Sequence, residues 1–143
     1  MGMVTAIVKP THECNLGCRY CYVPETAEQG RMNEITLKNT IEKVTKFNGN
    51  INGKKRETHF IWHGGEPLIM GLPFFEKIVE IEKPLREEEY RISNGIQSNG
   101  TLVNDAFLDF CEEQNDFHIG LSLDGPKEMH DATRPYKDGS GSF

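Results

Sequence analysis

The sequence has little that would take it out of a reducing compartment or into a membrane. No stretch approaches the roughly 18–20 consecutive apolar residues that a bilayer-spanning helix needs. The first ten residues offer only Val4, Ala6, Ile7 and Val8 as an apolar run, too short for a secretory signal and without a cleavage pattern. Cysteine is scarce, at four residues, which argues against a secreted disulfide framework. Basic charge is also in deficit: 16 Lys and Arg face 22 Asp and Glu, a net charge of −6. Such a surface repels a phosphate backbone, and the one basic run, Lys54-Lys55-Arg56, reads as a solvated loop between Gly53 and Glu57. The expected partners therefore include neither nucleic acid nor membrane, and the expected location is the cytoplasm. What is present, 143 residues of which 36% are hydrophobic, suffices for one globular domain with a core.

Three of the four cysteines, Cys14, Cys18 and Cys21, fall within eight residues. Thiolates this dense are soft metal ligands, and a closed four-ligand site would still lack one donor. The residues alone leave three readings open. An iron–sulfur cluster could take these three and either a distant fourth ligand or an exchangeable one. Structural zinc could add His12, and Cys18-x-x-Cys21 could be a redox pair. Cys111, between Phe110 and Glu112 and close to Phe107 and Leu108, reads as a buried helix residue.

Periodicity predicts alternating strands and helices. Thr5 to Val8 is a first strand, ended by Pro10, and Leu37, Ile41, Val44 and Phe47 mark a helix over 34–47 that Gly49 can terminate. The Asn48-Gly49-Asn50 and Asn52-Gly53 stretches make a turn-rich link to a second strand, His59 to Trp62. A second helix starts near Pro73 and stops at Pro84. The third strand, Tyr90 to Gln97, is interrupted by Asn94 and Gly95. Asn104 is the N-cap of a third helix, and His118 to Leu123 forms the fourth strand. This β-α-β-α-β-α-β order requires a parallel sheet with right-handed crossovers. The fold class is therefore α/β. All strands end on one side, the side that carries the site in such folds.

Each strand is followed by an unusual loop: the cysteine stretch, Gly64-Gly65-Glu66-Pro67, Gln97-Ser98-Asn99-Gly100, and Ser122-Leu123-Asp124-Gly125. The glycine pair lets backbone approach a ligand, although a pair alone also makes a tight loop before a helix. His63 reads as a hydrogen-bonded strand-end histidine. Gly139-Ser140-Gly141-Ser142 is too short to interpret.

With Tyr20 before the last cysteine, the Cys14-x-x-x-Cys18-x-x-Cys21 spacing resembles the radical S-adenosylmethionine (SAM) superfamily. Trp62-His63-Gly64-Gly65-Glu66-Pro67, Ser98-Asn99-Gly100-Thr101, Ser122-Leu123-Asp124-Gly125-Pro126, His130 and Arg134 extend the resemblance to the anaerobic sulfatase-maturating enzymes and the SPASM peptide maturases. It implies a [4Fe-4S] cluster on the three cysteines, with SAM on the open iron. It implies that Gly64, Gly65 and Glu66 hold the methionyl amino group and that Tyr20, Ser122 and Arg134 contact SAM. Ser98 and Asn99 line the pocket, and Asp124 accepts hydroxyl protons. The chemistry implied is reductive cleavage of SAM to a 5′-deoxyadenosyl radical acting on a peptide or protein, with ferredoxin or flavodoxin as electron donor. A small-molecule substrate, or a non-catalytic zinc module, is the alternative.

The same resemblance implies a partial TIM barrel of six strands, of which residues 1–143 supply the first four. The expectation is thus an N-terminal part of a radical SAM core domain, truncated, without the downstream cysteine-rich segments that hold auxiliary clusters.

Overall fold

The computed structural model describes residues 3–23, 30–49 and 56–143. The expected turns at Asn50 and Asn52-Gly53, and Lys54 and Lys55 of the basic run, lie outside the described residues. Elements follow the order β1 (Met3–Thr11), α1 (Glu34–Gly49), β2 (Glu57–Gly64), a 3-10 turn (Pro67–Met70), α2 (Leu72–Glu87), β3 (Arg91–Ser98), α3 (Asp105–Gln114), β4 (Phe117–Leu121) and α4 (Lys127–Thr133). The four strands form one parallel sheet in the order β1-β2-β3-β4. Among the described residues no helix is long and apolar enough to cross a membrane.

Strand alternation decides which face the core uses. In β2, Thr58, Phe60, Trp62 and Gly64 are buried while Glu57, His59, Ile61 and His63 are partly open. Phe60 and Trp62 join Leu37 and Ile41 of α1, Phe75 and Ile78 of α2, and Phe107 of α3 in one cluster. An aromatic chain runs Phe60–Trp62–Phe74–Phe75–Phe107 with ring centroids 5.5–5.9 Å apart. Each of the fully buried side chains among these contributes about 1.5–3 kcal/mol, and Phe74, partly buried, contributes less. The opposite face of the sheet, with Ile7, Lys9, His63 and Gln97, is left partly open.

Three expected boundaries move, each for a physical reason. Pro10 lies inside β1 instead of ending it: β1 is an edge strand, the register shifts between Val8 and Thr11, and the Pro10 carbonyl accepts the Met32 N–H at 2.7 Å. Pro84 lies inside α2, one turn from its end, where buried Leu85 and the pairing of Arg86 with Glu82 and Asp116 hold the last turn in place. Asn94 does not interrupt β3. Its Oδ1 accepts the Trp62 indole N–H at 2.8 Å and its amide donates to Glu82 at 3.1 Å, so the polar residue is fully partnered at zero exposure. Gly95 leaves room for the His59 ring, which lies 3.4 Å from where a Cβ would stand.

Candidate functional site

All four strand ends open onto one cleft of about 1150 Å³, lined by the three thiols Cys14, Cys18 and Cys21 and by Tyr20, Gly64, Gly65, Ser98, Asn99, Ser122 and Arg134. His12, His63, Arg19 and Lys137 also line it, and no Asp or Glu does among the described residues. In a chain of net charge −6, the charged side chains that line this cleft are the basic Arg19, Arg134 and Lys137, which suit a carboxylate or another anionic group of a ligand. Cys111 packs against the core from α3 and is absent from the lining.

The cysteine stretch leaves β1 at its C-terminal end and is held on two sides. On one side Gly65 N–H donates to the Thr11 carbonyl at 3.0 Å and Glu66 N–H to the Glu13 carbonyl at 2.7 Å. A Cβ at Gly65 would stand 2.0 Å from the Glu13 carbonyl oxygen, and one at Gly64 2.2 Å from that of Thr11. The two glycines are therefore demanded first by the protein's own backbone, and Gly64 also has φ +132°. On the other side the segment after α4 lies along the loop. Gly17 N–H donates to the Pro135 carbonyl at 2.8 Å, Arg19 N–H to that of Thr133 at 3.0 Å, and Leu16 bridges Tyr136 in antiparallel fashion.

Glu66 does not face the cleft. It is 1% exposed, and its carboxylate accepts the Leu68 N–H at 3.0 Å, the Ser98 hydroxyl at 2.8 Å and the Asn99 N–H at 2.7 Å. These three donors tie the second loop to the third. Asn99 carries the tie onward by donating to Asn15 Oδ1 at 2.9 Å, with Cys14 Sγ 3.8 Å from the same amide nitrogen. Asp124, half-buried, is likewise hydrogen-bonded within the protein. It accepts the Tyr20 hydroxyl at 2.6 Å and the Thr133 hydroxyl at 2.8 Å, and Tyr20 in turn accepts from Arg134 Nη1 at 2.7 Å.

The electrostatics follow from these contacts. Burial pushes the Cys18 thiol up, Arg134 pulls it down, and Cys14 and Cys21, both within electrostatic reach of it, push it up again. The hydrogen bond from Tyr20, then that from Thr133, holds the Asp124 carboxyl below its usual range. Arg134 is 9% exposed and its Nε has no partner among the described residues. His63 Nδ1 accepts the Gly64 N–H at 2.6 Å, the strand-end role expected of it, while the residue also lines the cleft.

A family model for the radical SAM superfamily matches residues 8–140. The chain belongs to the radical SAM superfamily. Among its relatives are a serine-type anaerobic sulfatase-maturating enzyme of Klebsiella aerogenes, 36% identical over 130 residues, and a cysteine-type enzyme of Clostridium perfringens, 33% identical over 141 residues. These alignments cover 91% and 94% of this chain but 31% and 36% of the relatives, so it spans about a third of their length. The fold is similar to that of solved anSMEcpe with bound AdoMet: TM-score 0.86 and 34% identity, covering 99% of this chain and 38% of that one. A further anSMEcpe structure, with bound AdoMet and a Cp18Cys peptide, superposes with TM-score 0.82. The four-strand parallel sheet with alternating helices is thus a radical SAM fold.

Four parts of the site were not legible in the spacing of residues. They are the strap 133–136, the docking of Gly139-Ser140-Gly141-Ser142 on α4, and the structural duties of Glu66 and Asp124. Arg134-Pro135 did carry a local signal, because the residue before a proline is biased to extended backbone. Asp131 accepts the Ser142 and Phe143 N–H groups at 2.9 Å each, so the small-residue run is part of the fold.

Proposed function

We propose that this chain holds a [4Fe-4S] cluster on Cys14, Cys18 and Cys21 with SAM beside it, and that its whole protein is a radical SAM oxidoreductase that modifies a peptide or protein, as in the maturation of a sulfatase Cys or Ser to formylglycine. The observation that carries this is the meeting of three soft thiols with glycine backbone and a buried arginine in one cleft at the ends of four parallel strands. Among the described residues no three Cys, His, Asp or Glu side chains form a group that could hold a single ion. A cluster asks something different, one thiolate for each of three irons. The volume also exceeds the roughly 300–1,000 Å³ of ordinary small-molecule pockets, leaving room for a cluster and a nucleoside together.

The protein's own contributions can be assigned. Metal binding removes the thiol protons that burial favours at Cys18. Arg134, buried with an unpaired Nε, and the Ser122 hydroxyl, which accepts the Gln97 amide at 3.0 Å and so keeps its own proton to donate, receive the SAM carboxylate. Backbone at Gly64 and Gly65 receives the amino group, Tyr20 borders the ligand, and Ser98 and Asn99 close the wall. Glu66 and Asp124 act one step back by fixing these loops. With an electron from a donor of the ferredoxin or flavodoxin kind, the cluster would cleave the sulfonium of SAM to methionine and a 5′-deoxyadenosyl radical that takes hydrogen from substrate.

The test is anaerobic reconstitution of the chain with iron and sulfide, followed by titration calorimetry with SAM and detection of 5′-deoxyadenosine under strong reduction. Iron bound at about four per chain with saturable SAM binding is expected. Stoichiometric zinc without iron, or a cluster indifferent to SAM, would contradict the proposal.

A further inference from the structure

His130 sits at the middle of α4 with 3% exposure and joins three segments. Its Nδ1 accepts the Asp124 backbone N–H at 3.3 Å, its Nε2 lies 3.1 Å from the Ser142 hydroxyl oxygen, and that hydroxyl donates to the Arg134 carbonyl at 2.5 Å. The proton placement follows. Asp124 presents a donor, so Nδ1 must be bare. Ser142 spends its one hydroxyl proton on the Arg134 carbonyl, so Nε2 must carry the imidazole proton.

Resting on the reading of Tyr20 and Arg134 as SAM contacts, we propose that His130 is the positioning residue for both, locking them only as the neutral Nε2–H tautomer. One ring nitrogen fixes the backbone of Asp124, whose carboxylate takes the Tyr20 hydroxyl. The other fixes, through Ser142, the backbone of Arg134, whose guanidinium donates to the same hydroxyl. The two arms that meet at Tyr20 thus start from opposite sides of one imidazole. A second proton on the ring would set N–H against N–H at Asp124.

The charged groups around the ring do not relieve that conflict. From the loop after β4 comes Asp124, already bound by Tyr20 and Thr133. From α4 come Asp131 and Lys127, paired with each other, and Arg134 just beyond the helix, bound to Tyr20. Asp131 also takes the Ser142 and Phe143 N–H groups. The C-terminal segment adds Ser142 and the Phe143 ring, 5.7 Å away and edge-on.

Two measurements test the assignment. Nitrogen-15 NMR of the imidazole in the metal-free chain at pH 8 reads the tautomer without any cofactor, and an unprotonated Nδ1 with a protonated Nε2 is expected. The opposite tautomer would overturn the proposal. Calorimetry with SAM on the reconstituted chain should then show affinity falling about tenfold as the ring protonates, the loss of roughly one hydrogen bond. His130→Gln, which keeps a donor and an acceptor but does not titrate, should bind within about threefold of the parent at pH 8 and lose the pH dependence. Ser142→Ala, which leaves the buried ring in place, should weaken SAM binding severalfold. A parent pH profile without the acid limb, or one retained in His130→Gln, overturns the proposal. A reconstituted parent that binds no SAM overturns the functional reading instead, and the tautomer then decides the His130 assignment by itself.

Discussion

Gly65→Ala should cost this protein its metal as well as much of its stability, and the cause lies in the backbone rather than in the cleft. The added Cβ would stand 2.0 Å from the Glu13 carbonyl oxygen and 2.5 Å from both the Glu13 carbonyl carbon and the His12 carbonyl oxygen. Main-chain atoms cannot swing aside as a side-chain tip can. The 64–66 loop and the entry to the cysteine stretch must therefore separate, which breaks Gly65 N–H to Thr11 and Glu66 N–H to Glu13. Two hydrogen bonds at about 1 kcal/mol each and about 1–3 kcal/mol of overpacking sum to about 3–5 kcal/mol. That is a large part of the roughly 5–15 kcal/mol that holds a domain together, and it falls one residue from Cys14. Thermal unfolding of the metal-free chain should drop by on the order of 10 °C, and iron retained after reconstitution should fall well below the parent's. Gly30→Ala is the control, since no atom of the described residues lies within 4 Å of its added Cβ. A Gly65→Ala chain with the parent's melting temperature and iron content would refute the reasoning.

Three further outcomes follow from the core. Asn94→Ala strands the Trp62 N–H and half the partners of buried Glu82, and urea unfolding should show a loss of about 3–5 kcal/mol; a loss under 1 kcal/mol would contradict the network. Burial pushes the Glu82 carboxyl above its ordinary value of 4.5, against the pull of Arg86. A raised folded-state value means that the stability from the protonated form is complete below 4.5 and is lost as pH rises through the folded value. Glu82→Gln is neutral throughout, so its stability relative to the parent should climb with pH across that window, and a flat difference would refute the linkage. Pro84→Ala restores an N–H to exposed α2 backbone and should stabilise the chain by about 1–3 kcal/mol, with no gain in unfolding midpoint as the contrary result.

The order of elements and the rim where loops gather were legible because hydrophobic periodicity and strand-end glycines are local signals. Asn104 as the α3 N-cap, accepting the Phe107 N–H at 3.1 Å, is one such case. What escaped depends on contacts between distant segments. Asn94 looks like a strand breaker until Trp62 and Glu82, 32 and 12 residues away, are brought to it. Glu66 and Asp124 also tie distant loops together through their carboxylates, and no local signal announces those partners. Pro10 and Pro84 mislead for a related reason, since an edge strand and a tertiary-anchored last turn each tolerate a missing N–H.

The central claim, that Cys14, Cys18 and Cys21 hold a cluster open to SAM, is tested most directly by electron paramagnetic resonance of the reconstituted, reduced chain with and without SAM. The account predicts a four-iron signal whose shape changes when SAM is added, lost in Cys14→Ala, Cys18→Ala and Cys21→Ala and kept in Cys111→Ala. A signal that survives any of the three changes, vanishes with Cys111→Ala, or ignores SAM in the parent would contradict it.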